Sequence, residues 1–232
     1  MERKVELALK ESGLEEKLAA LAKQRRALLP DAYANILDPL VEHLRAIGIA
    51  ETTLKVGERL PFFQLPDAQG HLVSSDEMLR RGPLAVGFFR GGWCPYCHVA
   101  LEALAEVHSD VLATGGSLVA ITPDLIPATA QTVATLKLPF EMLSDVDSAF
   151  GVQCGVIYRM PDDVIEYYRP LDIPRRHGSD SHFFPIPSAF IADQSGTIRY
   201  AFADPDFTRK PEPQTLIATL RMLAEESRSF PI

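Results

Sequence analysis

Hydrophobic and polar positions at the start of the chain repeat with the period of an α-helix. The apolar stripe consists of Leu7, Leu14, Leu18, Leu21 and Leu28, with Lys and Glu between its members. Spacings of three, four and seven positions place these leucines on one face, which predicts a helix over residues 3–29. A second helix is predicted over residues 31–47, kinked or split at Asp38-Pro39, which match an N-cap and a first helical position. Residues 1–52 are therefore interpreted as an N-terminal helical extension that serves packing or dimerisation.

Beyond Lys55 the pattern changes to buried strands that alternate with helices. The runs LAVGFF (84–89) and SLVAIT (117–122) are almost continuously apolar, as expected of strands buried on both faces of a sheet. Further predicted elements are a short strand with a turn in PFFQLPDAQG, helices at 95–109, 127–137 and 213–227, a strand at 140–143 and a β-hairpin at 188–202.

This order of elements predicts an α/β protein with a thioredoxin-like fold, in which a central mixed sheet is flanked by helices. Strand–helix alternation predicts parallel strands with right-handed crossovers, and the hairpin adds an antiparallel edge. The thioredoxin-like domain is assigned to residues 53–232. Residues 152–186 do not fit the plain fold and are interpreted as an insertion near the active face, with a short helix in PDDVIEYYR.

Charge and composition narrow the possible partners. The chain of 232 residues carries a formal net charge of −8, which argues against binding to nucleic acid or to an anionic membrane. No apolar run approaches the ~20 residues of a membrane span, and the charged first residues do not resemble a secretory signal. We therefore expect a cytoplasmic protein, in which the three cysteines do not form structural disulfides.

The candidate chemistry lies in GGWCPYCH, residues 91–98, between a predicted buried strand and a predicted helix. Pro95 suits a first helical position, so Cys94 is expected at the helix N-terminus, where partial positive charge favours a thiolate. Arg90 adds positive charge nearby, and Cys97 is three residues further on, on the same helix face as Cys94. Trp93, the only tryptophan, is expected to cover the pair with apolar surface or simply to pack.

Three other uses of the two cysteines fit the surroundings less well. Cys94, Cys97 and His98 match a haem-attachment string, but that cofactor is attached outside the cytoplasm. A structural zinc site needs about four ligands, and no second pair is present because Cys154 stands alone. Two inert buried cysteines are the third alternative. The preferred interpretation is a redox dithiol, with no cofactor and no metal.

Several further strings, in a fixed order, carry a wider resemblance. They are VGERLPFFQLPDAQG (56–70), GPLAVGFFRGGWCPYC (82–97), SLVAITPD (117–124), LSDVDSAFGV (143–152) and PSAFIADQSGTIRYAFADPDFTR (187–209). With them, residues 53–226 resemble the peroxiredoxin-like (AhpC/TSA, redoxin) branch of the thioredoxin superfamily. The resemblance implies a thiol peroxidase in which Cys94 attacks a hydrogen or organic peroxide and becomes a sulfenic acid. Cys97 then condenses with it to a disulfide, which thioredoxin or a glutaredoxin-like dithiol reduces.

Two positions depart from the pattern of that family. Gly91 stands where peroxiredoxins carry a threonine three residues before the reactive cysteine. Pro187 stands at or near the position of their peroxide-binding arginine and instead resembles the cis-proline that packs against the dithiol of thioredoxins. Arg90 or Arg209 is the candidate to replace the missing groups.

These departures leave three hypotheses open. The first is a thiol-dependent peroxidase, and the second is a thioredoxin- or glutaredoxin-like disulfide oxidoreductase. The third is a non-enzymatic redox-sensing or protein-binding module. The amphipathic extension also suggests a homodimer.

The remaining candidate residues receive supporting or structural roles. Tyr96 is expected to set the redox potential and contact partners, and Thr122, at a strand end, to line the pocket. Asp204 and Asp206 are expected to brace the site together with Arg209. Structural roles are expected for Cys154, as a buried small residue, for His98, as an exposed helix residue, and for His177 and His182, which nothing marks as ligands.

Overall fold

The N-terminal extension is helical in the part that the structure describes. A computed structural model describes residues 13–229 of the chain. Helix α1 spans Leu14–Leu28, which confirms the second half of the first predicted helix, whereas its start at residues 3–12 lies outside the described residues. Leu29 ends α1, and Pro30 begins the next helix because proline suits a first helical position.

The second helical segment, α2, continues through Asp38-Pro39. It consists of Pro30–Ala32, a π-helical turn at Tyr33–Leu37, and Asp38–Ala46. The predicted N-cap is wrong, because Asp38 has helical angles (φ −70°, ψ −45°). Pro39 has no N–H to donate to the preceding turn, and that turn is widened so that the Asp38 N–H donates to the Tyr33 carbonyl. The expected distortion at proline is therefore a π-helical turn.

The other described residues form short strands and helices. The strands are β1 (Gln64–Pro66), β2 (Leu72–Ser74), β3 (Leu84–Phe88), β4 (Ser117–Thr122), β5 (Glu141–Ser144), β6 (Ile157–Arg159), β7 (Phe183–Pro185), β8 (Ser188–Ala192) and β9 (Ile198–Ala203). The helices are α3 (Ser75–Arg81), α4 (Pro95–Glu106), α5 (His108–Ala113), α6 (Ile126–Leu136), α7 (Ala149–Gln153), α8 (Asp162–Tyr168), α9 (Ile173–His177) and α10 (Pro213–Ser229). Helix α3 is not among the predicted elements, and the helix predicted over 95–109 divides at Val107.

Strands β5-β4-β3-β8-β9, in that order, form the central sheet. The pairs β3–β4 and β4–β5 are parallel, whereas β8 is antiparallel to both β3 and β9. Every residue of β3 and β8 is buried, since helices cover both faces of the sheet. This arrangement confirms the predicted thioredoxin-like fold, with parallel strands first and an antiparallel hairpin at the edge.

Alternate side chains of the central strands enter two cores on opposite faces of the sheet. Ala85 of β3 lies in the core that contains the dithiol, and helix α1 buries Leu14 and Leu18 there. Val86 lies in the other core, together with Cys154. Part of the predicted stripe is therefore buried against its own chain, whereas Leu28 is 65% exposed and Leu7 lies outside the described residues.

Residues 152–186 form a small layer of their own. Strands β6 and β7 pair as an antiparallel ribbon, and α8 and α9 lie between them in the chain. Helix α8 confirms the short helix predicted in this segment. Within residues 13–229, no helix is both long enough and apolar enough to cross a membrane.

Candidate active site

Cys94 lies at the junction of a buried strand and a helix, as predicted. Strand β3 ends at Phe88, Cys94 is the N-cap residue of α4, and Pro95 is its first helical residue. The backbone N–H groups of Cys97 and His98 donate to the Cys94 carbonyl at 3.0 and 3.1 Å, which fixes the first turn. The positive end of the helix dipole therefore lies beside Cys94.

The two thiols of this turn differ in acidity. A hydrogen bond from the Cys97 thiol, assisted by the charges of Arg90 and Lys210, lowers the pKa of Cys94 to about 6 despite its burial. Burial and the neighbouring Cys94 raise the pKa of Cys97 well above its usual value. Near neutral pH the pair therefore consists of a thiolate at Cys94 and a thiol at Cys97. Cys94 is only 1% exposed and Cys97 is fully buried.

Arg90 is buried beside Cys94 inside a cage of aromatic rings. Its guanidinium carbon lies 4.8 Å from the ring centre of Trp93, 5.0 Å from that of Phe207, 5.4 Å from that of Tyr168 and 5.8 Å from that of Phe184. The side chain is 1% exposed, and its Nε and Nη2 have no hydrogen-bond partner among the described residues. A buried guanidinium with unused donors is suited to hold an oxygen ligand, because leaving such donors unpaired is costly.

The sequence identified Arg90 and Trp93 but not the rest of the cage. Tyr168 and Phe184 belong to the insertion, and Phe207 lies in the loop after β9. No local pattern marks these three residues, since they approach Arg90 only through the tertiary fold. A long-range signal, such as co-variation with position 90, is the kind that identifies them.

The second cation near the dithiol is Lys210, not Arg209. Arg209 is 58% exposed and lies 3.8 Å from carboxylate oxygens of Glu15 and Asp204, so its expected role at the site is wrong. The Lys210 Nζ is buried without a hydrogen-bond partner among the described residues and lies 5.5 Å from the ring centre of Phe89. Its charge lowers the pKa of both thiols. The aspartates that were expected to brace the site order their own loop, since Asp204 and Asp206 accept backbone N–H groups within residues 204–208.

Close packing leaves no room for a side chain at position 91. Gly91 has φ +136°, and a Cβ there would lie 2.5 Å from the Trp93 Nε1. A Cβ on Gly92 would lie 1.9 Å from the Thr132 Oγ1. The Trp93 indole therefore fills the space of a side chain at position 91, and its Nε1 is a buried donor without a partner in the described part of the chain.

Asp124 ties the loop before Cys94 to the insertion. Its fully buried carboxylate accepts a hydrogen bond from the Gly92 N–H at 2.7 Å and pairs with the Arg176 guanidinium of α9 at 3.3 Å. Burial lowers the pKa of His177 to about 4 despite Asp124, whose carboxylate lies 3.6 Å away. His177 is therefore neutral at pH 7, and Arg176 is the charged partner. Thr122 helps to position Asp124, because its hydroxyl accepts a hydrogen bond from the Asp124 backbone N–H at 3.2 Å.

Replacing Asp124 by alanine is expected to lower the free energy of unfolding by about 3 kcal/mol, since it leaves Arg176 and the Gly92 N–H without their acceptor. The reactivity of Cys94 is expected to fall several-fold because the Gly92–Cys94 loop loses its anchor. Urea unfolding and the rate of alkylation measure the two effects.

Asp67→Ala is the matched control, because Asp67 also accepts two backbone N–H groups, in the turn between β1 and β2. It is expected to change stability without changing the reactivity of Cys94. Unaltered stability of Asp124→Ala would contradict an anchoring role.

Three further predictions concern residues around the dithiol, and the structure departs from each of them. No cis peptide bond occurs in residues 13–229, so Pro187 does not reproduce the cis-proline of thioredoxins; its carbonyl accepts the Asp204 N–H at 3.0 Å. His98 is half-buried rather than exposed, and its Nε2 lies 2.6 Å from the Gly92 carbonyl oxygen. Tyr96 is buried, with its ring against Phe207, so it presents no surface to a partner in this conformation.

Cys154 is confirmed as a buried cysteine outside the dithiol. It lies in the core on the other face of the sheet, and burial raises the pKa of its thiol. The described residues contain no group of three His, Cys, Asp or Glu side chains arranged to hold a metal ion. At the dithiol, Arg90 and Lys210 are the positive charges that act on Cys94.

Comparisons with known proteins point to one family. The AhpC/TSA family model matches residues 56–201. A protein of Coxiella burnetii (strain RSA 493 / Nine Mile phase I) that carries the peroxiredoxin name bcp is 28% identical over 105 residues. The matched part covers 45% of this chain and 69% of that protein.

Solved structures share the fold. Peroxidoxin BcpB of Mycobacterium tuberculosis superimposes with a TM-score of 0.58 at 18% identity, over 73% of this chain and 97% of that chain. Bacterioferritin comigratory protein of Xanthomonas campestris, described for alkyl peroxide reduction activity, superimposes with a TM-score of 0.56 at 15% identity, over 73% and 99% of the two chains. Because the family model matches more than half of the sequence, the chain belongs to the AhpC/TSA family.

Proposed function

We propose that the chain reduces peroxides with Cys94 as the nucleophile and Cys97 as the resolving thiol. Membership of the AhpC/TSA family makes it an oxidoreductase of the thiol peroxidase class. The observation that carries the assignment of residues is a buried, acidic Cys94 next to Arg90, whose Nε and Nη2 have no hydrogen-bond partner among the described residues. A thiolate supplies the nucleophile, and the guanidinium supplies donors for the peroxide oxygens.

The proposed cycle has three balanced steps. The Cys94 thiolate attacks one peroxide oxygen, so that an S–O bond forms, the O–O bond breaks, and the leaving oxygen takes a proton to give water or an alcohol. The Cys97 sulfur then attacks the Cys94 sulfenic acid, forming a disulfide and releasing water. A dithiol reductant restores both thiols by two exchange steps and becomes a disulfide itself.

Disulfide exchange is the second candidate function, because a C-x-x-C pair at a helix N-terminus suits it chemically. Exchange with a protein disulfide requires direct contact between sulfur atoms. Cys94 is 1% exposed and Tyr96, between the two cysteines, is 3% exposed. This burial favours a small oxidant over a protein disulfide.

The reductant and the cellular setting complete the proposal. A thioredoxin- or glutaredoxin-like dithiol is the expected reductant, and its exchange with the buried disulfide requires the cover over Cys94 and Tyr96 to open once per turnover. A reducing compartment such as the cytoplasm suits a dithiol that has to be regenerated. A homodimer stays a prediction, which analytical ultracentrifugation tests.

Reduced protein is expected to lose two hydrogens per chain within seconds of mixing with a small excess of hydrogen peroxide. Mass spectrometry of the intact protein measures the loss, and peptide mapping assigns it to a Cys94–Cys97 disulfide. In a parallel mixture, a protein disulfide substrate such as insulin with its disulfides intact is expected to react slowly. Rapid exchange with that substrate and sluggish oxidation by peroxide would reverse the order of the two candidate functions.

A further inference from the structure

Two segments that do not belong to the central sheet meet above the dithiol. The π-helical turn Tyr33–Leu37 of the extension contacts helix α8 of the insertion. Helix α1, which precedes this turn, packs against the dithiol helix α4. The extension and the insertion therefore join on the side of the molecule where α4 begins.

Tyr33 closes the extension onto the dithiol helix. Its hydroxyl forms a short hydrogen bond with the hydroxyl of Tyr96, the residue between Pro95 and Cys97. Tyr33 is 3% exposed and belongs to the same core as both thiols. Tyr33 therefore covers Tyr96, which is the residue of the motif that a docking partner would contact first.

The outer side of Tyr33 is held by weak, exposed contacts. The Arg26 guanidinium lies 4.7 Å from the Tyr33 ring centre and makes two hydrogen bonds, of 2.6 and 2.7 Å, to the Asp38 carboxylate. Exposed ion pairs of this kind add little to stability. A π-helical turn also leaves the regular helical hydrogen-bond pattern. The contact between Tyr33 and Tyr96 therefore has no strong polar clamp on its outer side.

Tyr168 of helix α8 covers the other side of the dithiol site. The Tyr168 ring packs 5.1 Å from the Trp93 ring and forms one wall of the Arg90 cage. On the far side of Tyr168 and Phe184 lies a cavity of about 240 Å³, which the two rings also line. This cavity has room for several water molecules, which is enough for a small peroxide and too small for a folded protein partner.

We propose that the π-helical turn and helix α8 form a lid over the dithiol, with Tyr33 as the residue that selects reactants by size. A small peroxide reaches Cys94 while the Tyr33–Tyr96 contact is closed, whereas a bulky thiol or disulfide needs that contact to open. The selection of peroxides rests on the proposed function; the size limit on access to Cys94 does not.

The test compares two thiol reagents on the reduced chain, methyl methanethiosulfonate as the small one and 5,5′-dithiobis(2-nitrobenzoate) as the bulky one. Tyr33→Phe removes only the hydroxyl and is expected to raise the rate with the bulky reagent roughly three- to tenfold. Tyr33→Ala removes the ring as well, and at least a tenfold rise of that rate, by order of magnitude, is expected. The rates of reaction with the small reagent and with hydrogen peroxide are expected to change by less than about twofold, because these molecules do not need the Tyr33–Tyr96 contact to open.

Tyr200→Phe and Tyr200→Ala are the matched controls. Tyr200 is a half-buried tyrosine of β9 that lines a groove with α1 and packs against the same core as the dithiol, so its variants report any general loosening of that core. These variants are expected to leave the ratio of the two reagent rates unchanged. Circular dichroism checks folding, and Tyr33→Phe decides the matter alone if Tyr33→Ala does not fold.

Two results would overturn the lid. One is a wild-type Cys94 that reacts with the bulky reagent as readily as with the small one. The other is a ratio of rates that Tyr33→Phe leaves unaltered in a folded protein. If hydrogen peroxide fails to oxidise Cys94 while the ratio shifts as expected, the proposed peroxidase function fails and the size limit stands.

Discussion

Replacing Cys94 by serine is expected to lower the rate of peroxide consumption by at least about a thousandfold, because a hydroxyl at this position is not ionised at neutral pH. In the unsubstituted chain, the rate of Cys94 oxidation is expected to rise with pH through a midpoint of about 6 and then level off, since the pKa of Cys94 is lowered by the Cys97 hydrogen bond and by Arg90. Stopped-flow measurement of peroxide consumption with a thioredoxin-based reductant gives the turnover, and single-turnover oxidation gives the pH profile.

Two further cysteine variants separate the roles. Cys97→Ser is expected to retain one oxidation of Cys94 to a sulfenic acid, which dimedone traps, and to lose the intramolecular disulfide. Cys154→Ser is the control. Because Cys154 lies in the opposite core, this variant is expected to keep full turnover. A Cys94→Ser variant that still consumes peroxide catalytically would show that the nucleophile lies elsewhere.

Arg90→Met is expected to reduce kcat/KM for peroxide by about a hundredfold, the usual effect of removing a donor aimed at the oxygen that gains charge. Methionine fits the aromatic cage, and exchanging a buried charge for an apolar side chain is often tolerated by the fold. The pH midpoint of the reaction is expected to move upward as well, because Arg90 helps to lower the pKa of Cys94. Steady-state kinetics and the pH profile of single-turnover oxidation measure the two effects.

The Lys210→Met variant separates the effect of a nearby positive charge on the Cys94 pKa from a direct role in binding peroxide. Lys210 also lowers the pKa of Cys94, so this variant is expected to move the pH midpoint in the same direction. Compared at pH values well above each midpoint, Lys210→Met is expected to regain most of its peroxide reactivity, whereas Arg90→Met is not. Equal recovery of both variants would mean that Arg90 acts through its charge alone.

The part of the site that sequence reasoning predicts is the part built from neighbouring residues. Strand β3, Cys94 and the helix begun by Pro95 follow one another in the chain, so their geometry is readable from local preferences. The surroundings of Arg90 are not local, because Tyr168, Phe184 and Phe207 reach it across large sequence separations. The same holds for Asp124, whose bond to Gly92 joins residues 32 positions apart.

One interpretation failed because a sequence position was equated with a conformation, and a second was incomplete. Pro187 matches the place of a cis-proline but has a trans bond, as do all described residues. Gly91 looks like the loss of a polar group, whereas in the structure the Trp93 indole occupies the space that a side chain at this position would need. A sequence motif identifies which residue is present at a position, but only the packing of the folded chain decides which other side chain fills the space of one that is absent.

The assembly of the Arg90 cage has a consequence for how the chain matures. Arg90 is buried only after the insertion has placed Tyr168 and Phe184 and the loop after β9 has placed Phe207. Contacts between such distant residues form late, because long loops must close first. Until then Arg90 is not held in its aromatic cage beside Cys94, so Cys94 lacks one of the charges that lower its pKa. The full acidity of the Cys94 thiol is therefore a property of the finished fold, although the Cys97 hydrogen bond arises within the motif itself.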